Sequence, residues 1–200
     1  MERIVQKIEE CLPKRLQALT DRDAPFLVAL DGRCAAGKTT LAARLQEETG
    51  CTVFHMDDFF LRPGQRVRER LDTPGGNVDH ERFREEILVP LREGEEEISY
   101  RPYDCHTQEL LPPVSAKPSR IVLVEGSYSC HPELWDFYGL HIFLTVDPKE
   151  QLRRIAARGG ADSVRRFRER WIPLEESYFK AFQVRERCEL CLEIPTNASH

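Results

Sequence analysis

Apolar positions along the chain alternate between two periods, and each change of period marks an element. Ile4, Val5, Ile8, Leu12, Leu16 and Leu19 recur at helical spacing with charges between them. Pro13 interrupts that run, so two short helices are predicted there. Asp21 to Pro25 reads as a turn into Phe26–Leu30, an unbroken apolar run that suits a strand buried on both faces. Helical spacing returns over 39–48, where Leu41, Ala42 and Leu45 share a face, and Gly50 stands where a helix-ending glycine belongs. Residues 51–56 read as a second strand. Residues 61–77 carry Pro63, Gly64, Pro74, Gly75 and Gly76 and read as a loop, and 79–92 as a helix with Phe83, Ile87, Leu88 and Leu91 on one side.

The second half repeats the alternation. Residues 98–103 and 109–111 predict the two strands of a hairpin. Ile121–Val124 and His141–Val146 are apolar strands, and Asp147-Pro148 opens a helix that Gly159-Gly160 ends near Arg158. A further helical run covers 163–187, broken near Pro173, before a last strand at 188–194. Strands alternating with helices predict an α/β fold, a three-layer sandwich with a central parallel sheet and helices on both faces. Ligands of such sheets sit beyond the carboxyl ends of the strands. That edge gathers the residues after Leu30, after Met56 and after Val124.

Composition narrows the class. The 200 residues are 40% hydrophobic and 32% charged, as expected of one globular domain in solution, with 1–24 as a helical extension. No apolar run approaches a membrane span, and the first residues lack a signal-peptide core. The formal charge of −5 gives no general drive toward nucleic acid. Seven cysteines, odd in number and scattered, argue against a disulfide framework and for a reducing cytoplasmic compartment. Cys188 and Cys191 have metal-ligand spacing, but no second pair completes a zinc site, and packing in a buried strand is expected of them.

The chemistry starts at Gly32-Arg33-Cys34-Ala35-Ala36-Gly37-Lys38-Thr39-Thr40, a complete G-x-x-x-x-G-K-[ST] phosphate-binding loop between a strand and a helix. Its glycines let backbone N–H groups approach phosphate oxygens, and the following helix aims its positive end at the same anion. Lys38 suits the β- and γ-phosphates of ATP and the Thr39 hydroxyl suits Mg²⁺. Asp57 and Glu125, acidic residues at strand ends, are candidates to hold Mg²⁺ directly or through water, and Asp57 can also take the proton of an acceptor hydroxyl. Asp58 shares the turn. Between Arg153 and Arg170 seven arginines face two acids, and Gly159-Gly160 offers a joint for a lid over 153–170, with Arg158 its first candidate. The arginines between Arg62 and Arg70 read as a solvated loop first and an anion contact second.

The order of the phosphate loop, Met56-Asp57-Asp58-Phe59-Phe60, Asn77-Val78-Asp79, Tyr103-Asp104, Glu125-Gly126, Arg153-Arg154-Ile155 with Arg158-Gly159, and Trp171-Ile172-Pro173 resembles the uridine kinase/phosphoribulokinase-like P-loop kinases, from about residue 26 to 194. It is also similar to nicotinamide riboside kinases. The resemblance implies a P-loop NTPase fold with a small hairpin insertion and an arginine-rich lid. It implies Asp57 as catalytic base, Asp79 on ribose hydroxyls, Glu125 with Mg²⁺, Tyr103 and His106 toward the substrate, and Arg154 with Arg158 in the lid. His106 stands two positions earlier after Tyr103 than in uridine kinases, and the lid is shorter. The implied activity is transfer of the γ-phosphate of Mg-ATP to a hydroxyl. Nucleoside-type 5′-hydroxyls come first; pantothenate-like alcohols, sugars and a nucleotide-dependent switch or regulatory ATPase stay open, and oligomeric state is not read.

Overall fold

A computed structural model describes residues 2–17 and 24–195. Along the chain, α1 (Glu2–Gln17) precedes β1 (Phe26–Gly32), α2 (Lys38–Thr49) and β2 (Thr52–His55). A 3₁₀ turn at Met56–Phe59 follows directly, then two short helical pieces, a 3₁₀ turn at Pro63–Gln65 and α3 (Arg68–Leu71). Then α4 (His80–Phe83) and α5 (Val89–Glu93) form one helix through a π segment, Arg84–Leu88. Next come β3 (Ile98–Tyr100), β4 (Tyr103–Asp104), β5 (Glu109–Leu110), β6 (Val114–Ala116), β7 (Ile121–Glu125) and β8 (Leu140–Val146). The chain closes with α6 (Pro148–Arg166), a π segment Phe167–Trp171, α7 (Ile172–Phe182), α8 (Val184–Arg187) and β9 (Leu190–Ile194).

β1, β2, β7, β8 and β9 form one parallel sheet in the order β2-β7-β1-β8-β9. The apolar runs are unbroken because each face has its own core. Phe26, Val28 and Leu30 pack with Leu123 and Ile142 against α1 and α2. Leu27, Ala29, Val122 and Val124 pack on the opposite side with Phe83, Ile87, Leu88, Tyr178 and Phe179. This is the P-loop NTPase α/β arrangement, and it puts the ends of β1, β2 and β7 side by side.

Several elements differ from expectation. α1 is continuous across position 13 rather than two short helices; a proline removes one amide bond, which the surrounding turns outlast. Its Ile4, Val5, Ile8 and Leu12 are buried as read; the side chain of Leu16, and Leu19 and residues 21–23 altogether, lie outside the described residues. The 61–77 loop contains the two helical pieces. The hairpin holds two ladders: β4 pairs with β5, and β3 pairs with β6 beyond Pro112-Pro113. Cys188 packs partly buried against the core, but Cys191 faces solvent, because alternate residues of the edge strand β9 point to opposite sides. Pro173 does not break its helix. Each π segment ends two residues before a proline, Pro90 or Pro173, and widening the turn accommodates the missing donor and the crowding ring. No described helix is long and apolar enough to cross a membrane.

Candidate functional site

The phosphate loop divides into a part that lines a cavity and a part that supports it. The cavity, about 880 Å³, lies at the strand ends and is walled by Cys34, Ala35, Gly37, Lys38, Thr39 and Thr40 of the loop. Gly32, Arg33 and Ala36, expected among the nucleotide contacts, are not on this wall. Gly32 is the last residue of β1, and a Cβ there would lie 1.9 Å from the Leu144 carbonyl of β8, so strand packing excludes any side chain. The Arg33 side chain pairs with Glu176 at 2.9 Å, and Ala36 is fully buried. Gly37 adopts the left-handed conformation that starts α2. Lys38 is 8% exposed and donates to the Gly32 carbonyl (2.7 Å), the Arg33 carbonyl (3.1 Å) and Ser127 Oγ (3.4 Å).

Beside the loop, β2 and β7 deliver a carboxylate pair. The Thr39 hydroxyl donates to Glu125 Oε1 at 3.2 Å, so two of the three residues expected to hold Mg²⁺, the third being Asp57, already meet. Their oxygens are the hard donors that this ion takes, with the remaining positions left to water and phosphate. Among the described residues, no group of three or more His, Cys, Asp or Glu is placed to hold a metal by itself. Glu125 Oε1 also sits 2.6 Å from His55 Nδ1, and this hydrogen bond raises the His55 pKa despite burial. Asp57 lines the cavity, and burial raises its pKa against the lowering pull of Lys38. Gly126 keeps that corner open: a Cβ there would come within 2.8 Å of Met56 Cβ and 3.5 Å of Asp57 Oδ1. Asp58 points elsewhere and accepts from the Tyr100 hydroxyl at 2.8 Å.

A buried hub that periodicity does not single out fixes the segment after β7. Asp31, the charged end of an otherwise apolar strand, is fully buried. Its oxygens accept from the amides of Gly32 (2.6 Å), Tyr128 (3.2 Å) and Cys130 (2.9 Å) and from the Tyr178 hydroxyl (2.9 Å). Burial raises its pKa to about 6, against Lys38 and these hydrogen bonds. Glu175 of α7, 4% exposed, accepts from the Ser127 hydroxyl (2.6 Å) and from the Cys34 amide of the phosphate loop (2.9 Å). Asp31, Ser127, Glu175 and His55 are the residues that sequence reading missed. The signal available was weak: one polar residue at the end of an apolar run, or one acid on an amphipathic helix.

Away from the phosphate loop the cavity is walled by Phe60, Leu61, Arg66, Leu71, Asn77, Cys105 and Tyr128, and by Phe167, Arg170, Trp171 and Leu174, with the Phe60 and Trp171 rings 6.5 Å apart. Of the 62–70 arginines, Arg66 alone reaches this wall; it donates to the Leu61 carbonyl and to the Tyr103 hydroxyl, both at 2.9 Å. Tyr103 is thereby a buried support for Arg66, off the wall itself. Asp79 is also off the wall: it caps α4 by accepting from the Arg82 amide (3.2 Å) and accepts from Gln65 Nε2 (2.7 Å). His106 lies exposed in the β4–β5 turn, and its neighbour Cys105 faces the cavity instead. Arg158 lines the cavity beside Gly159, where backbone angles leave the helical range within α6. Arg154 donates to the Ala35 and Ala36 carbonyls on the outside of the loop (3.3 Å each) and to Glu150 of its own helix (2.8 Å). The Asn77 amide nitrogen and Tyr128 hydroxyl are buried side by side, interacting with each other short of full hydrogen-bond geometry and with no better partner, and Tyr128 holds a positive φ of 74°.

Comparison with known proteins agrees with this geometry. A family profile described as an AAA domain matches residues 28–172. Uridine kinase-like protein 3 of Arabidopsis thaliana is 25% identical over 152 residues, 71% of this chain and 32% of that protein, so the chain spans about a third of that relative's length. Among solved structures, a possible uridine kinase from Bacillus stearothermophilus superposes with a TM-score of 0.64 at 19% identity, over 90% of this chain and 98% of that one. A provisionally named fructose transport system kinase from Silicibacter sp. TM1040 gives 0.70 at 21% identity, over 94% and 98%. D-glycerate 3-kinase from Cryptococcus neoformans var. grubii gives 0.68 at 16% identity, over 96% and 95%. The fold is that of uridine kinase-like and related P-loop kinases.

Proposed function

The chain belongs to the AAA-domain family, and from that premise we propose that it is an ATP-dependent kinase of a small molecule bearing a hydroxyl group, with nucleoside-type 5′-hydroxyls the first acceptors to try. One observation carries this reading: a single cavity joins the phosphate loop and the Thr39–Glu125 pair to a second half lined by Arg66, Asn77, Tyr128 and Trp171, with Asp57 on the same wall. A switch or regulatory ATPase has no use for that second half.

In this reading Lys38 leaves its resting contacts on Gly32 and Arg33 to neutralise the β- and γ-phosphates, and the amides at the start of α2 cradle them. Thr39 and Glu125 hold Mg²⁺, which when bound offsets phosphate charge. Asp57 accepts the acceptor's proton as the hydroxyl attacks; its burial makes the carboxylate a better base than an exposed one. Arg158 and Arg170, on a segment jointed at Gly159-Gly160, act as a lid that adds positive charge and excludes water. Arg154 supports the loop from outside. Asn77 and Tyr128, which satisfy each other only weakly, supply polar groups that suit a polar acceptor. Asp79, Tyr103 and His106 serve the acceptor only indirectly, by holding Gln65, Arg66 and the hairpin turn.

The test is ADP release from Mg-ATP across a panel of nucleosides, sugars, hydroxy acids and pantothenate-like alcohols. At least one acceptor is expected to stimulate turnover, and Asp57→Asn is expected to lower that kcat about 10²- to 10³-fold with little change in either KM. A panel on which no alcohol stimulates turnover removes the kinase reading; an Asp57→Asn enzyme at full rate removes the assigned base.

A further inference from the structure

The Glu175 carboxylate is an unusual tenant of a site built for anions. It is 4% exposed, lines the cavity from α7, and makes no ion pair among the described residues. Its two oxygens have separate tasks. Oε2 takes the Cys34 amide, one of the loop's own N–H groups, at 2.9 Å across 141 residues of sequence. Oε1 takes the Ser127 hydroxyl at 2.6 Å, and Ser127 Oγ in turn receives Lys38 at 3.4 Å. A buried carboxylate without an ion pair is expensive, and packing alone would be served as well by an apolar side chain of similar volume.

The order of donors settles what the carboxylate does. An ionised carboxylate only accepts, so Ser127 must donate to it, and the hydroxyl lone pairs are left facing the Lys38 ammonium. The same carboxylate holds the front of the loop at Cys34. Loop shape, lysine position and the seating of α7 are therefore tied at one group. Because α7 continues from the segment carrying Arg158, Arg170 and Trp171, docking of that segment and preparation of the loop become one event.

We infer that Glu175 is a positioning residue for nucleotide binding, acting through the Cys34 amide and through Ser127 on Lys38, so that the phosphate loop reaches its binding shape only when α7 is seated. The inference rests on the nucleotide-binding part of the proposed function. It goes beyond that reading by assigning a residue, Glu175, that neither the loop motif nor the acidic strand ends include.

The test is the Kd for Mg-ATP of the full chain, measured by calorimetry, for wild type, Glu175→Ala, Glu175→Gln, Ser127→Ala and the Glu175→Gln/Ser127→Ala pair. Glu175→Ala loses both bonds and is expected to bind about 10-fold more weakly. Glu175→Gln keeps an acceptor for Cys34 but presents an N–H to Ser127, turning that hydroxyl's hydrogen toward Lys38; about threefold weakening is expected. In the Ser127→Ala background the same change is expected to cost nothing, because the hydroxyl it reverses is gone. A role in packing alone gives equal cost in both backgrounds and overturns the inference, as do Glu175→Ala and Glu175→Gln both within twofold of wild type. Should Glu175→Ala fail to fold, the isosteric glutamine pair decides. A wild-type chain that binds no Mg-ATP removes the proposed kinase together with this inference, whereas normal wild-type binding with unaffected Glu175 variants removes the inference alone.

Discussion

The two halves of the cavity are held by different kinds of structure. The half around Lys38 is assembled from consecutive residues at the ends of β1, β2 and β7, positioned by parallel strand register and by core on both faces. The half around Arg66 is assembled from a loop with two short helical pieces, a hairpin turn and a π-distorted helix, each positioned by side chains reaching across sequence: Arg66 to Tyr103, Gln65 to Asp79, Arg70 to Glu81 (2.6 Å) and to the Val78 carbonyl (2.9 Å). The first half is rigid because its backbone is paired. The second is rigid only where its arginines find acceptors. A phosphate donor common to many enzymes fits the first kind of wall, and an acceptor that varies between enzymes fits the second.

That contrast breaks most sharply at Lys38. Lys38→Ala is expected to lower kcat about 10³-fold for every acceptor alike, as loss of a preorganised cation does; an acceptor-dependent loss would show that the halves are not separable. Arg66→Ala is expected to raise the acceptor KM about 10-fold, the worth of a charged hydrogen bond, while the Mg-ATP KM stays within twofold. A parallel rise in both would make Arg66 a structural residue of the whole cavity.

Acid separates the halves by stability. His131 is held near a pKa of about 3, chiefly by burial and then by His80 and Arg70. Its ring stacks on His80, at the start of α4, with centroids 3.9 Å apart. An unfolded histidine titrates near 6.5, so the unfolded chain takes the proton first. Stability from neutral His131 is complete above about pH 6.5 and is lost as pH falls toward 3, at up to about 1.4 kcal/mol per pH unit. Asp31, raised to about 6, acts in the opposite sense over the same window, so the difference decides: wild-type melting temperature is expected to respond less favourably to acid between pH 7 and 5 than that of His131→Asn, which keeps an acceptor for the Glu133 amide. An unchanged slope would clear His131 of the effect. The smallest expected effect is at His106: His106→Ala should change neither KM nor kcat by more than about twofold, since an exposed turn residue away from the cavity wall contributes little.

The same contrast explains what could be read in advance. Fold, strand order of the motifs, Lys38, Thr39, Asp57 and Glu125 follow from local pattern, because strand ends and a loop motif are local facts. Gly32 was legible as a loop glycine but not as a strand residue, since the clash with Leu144 belongs to a strand distant in sequence. Asp79, Tyr103 and His106 were placed by their spacing from motifs, and spacing does not say which way a loop side chain faces. Arg66 occupies the wall where Tyr103 was expected because it reaches in from the 61–77 loop and holds the Tyr103 hydroxyl behind it, and Cys105 rather than His106 faces the cavity from the hairpin turn. Glu175 and Asp31 gave only a weak signal, since their partners lie far along the chain.

The π segment before Pro173 has a consequence for how this helix could change. One residue of an α-helix turns its successors by about 100°. Phe167, Arg170 and Trp171 lie inside the wide turn and Leu174 and Glu175 beyond it, and all line one cavity. The extra residue is therefore a fixed rotation stored in the backbone. Deleting a residue there would reset the phase of everything downstream, swinging Glu175 off Cys34 while leaving each side chain chemically intact. In this molecule the aim of the cavity wall is inherited as an angle, which insertions, deletions or the loss of Pro173 can alter and other substitutions can hardly touch.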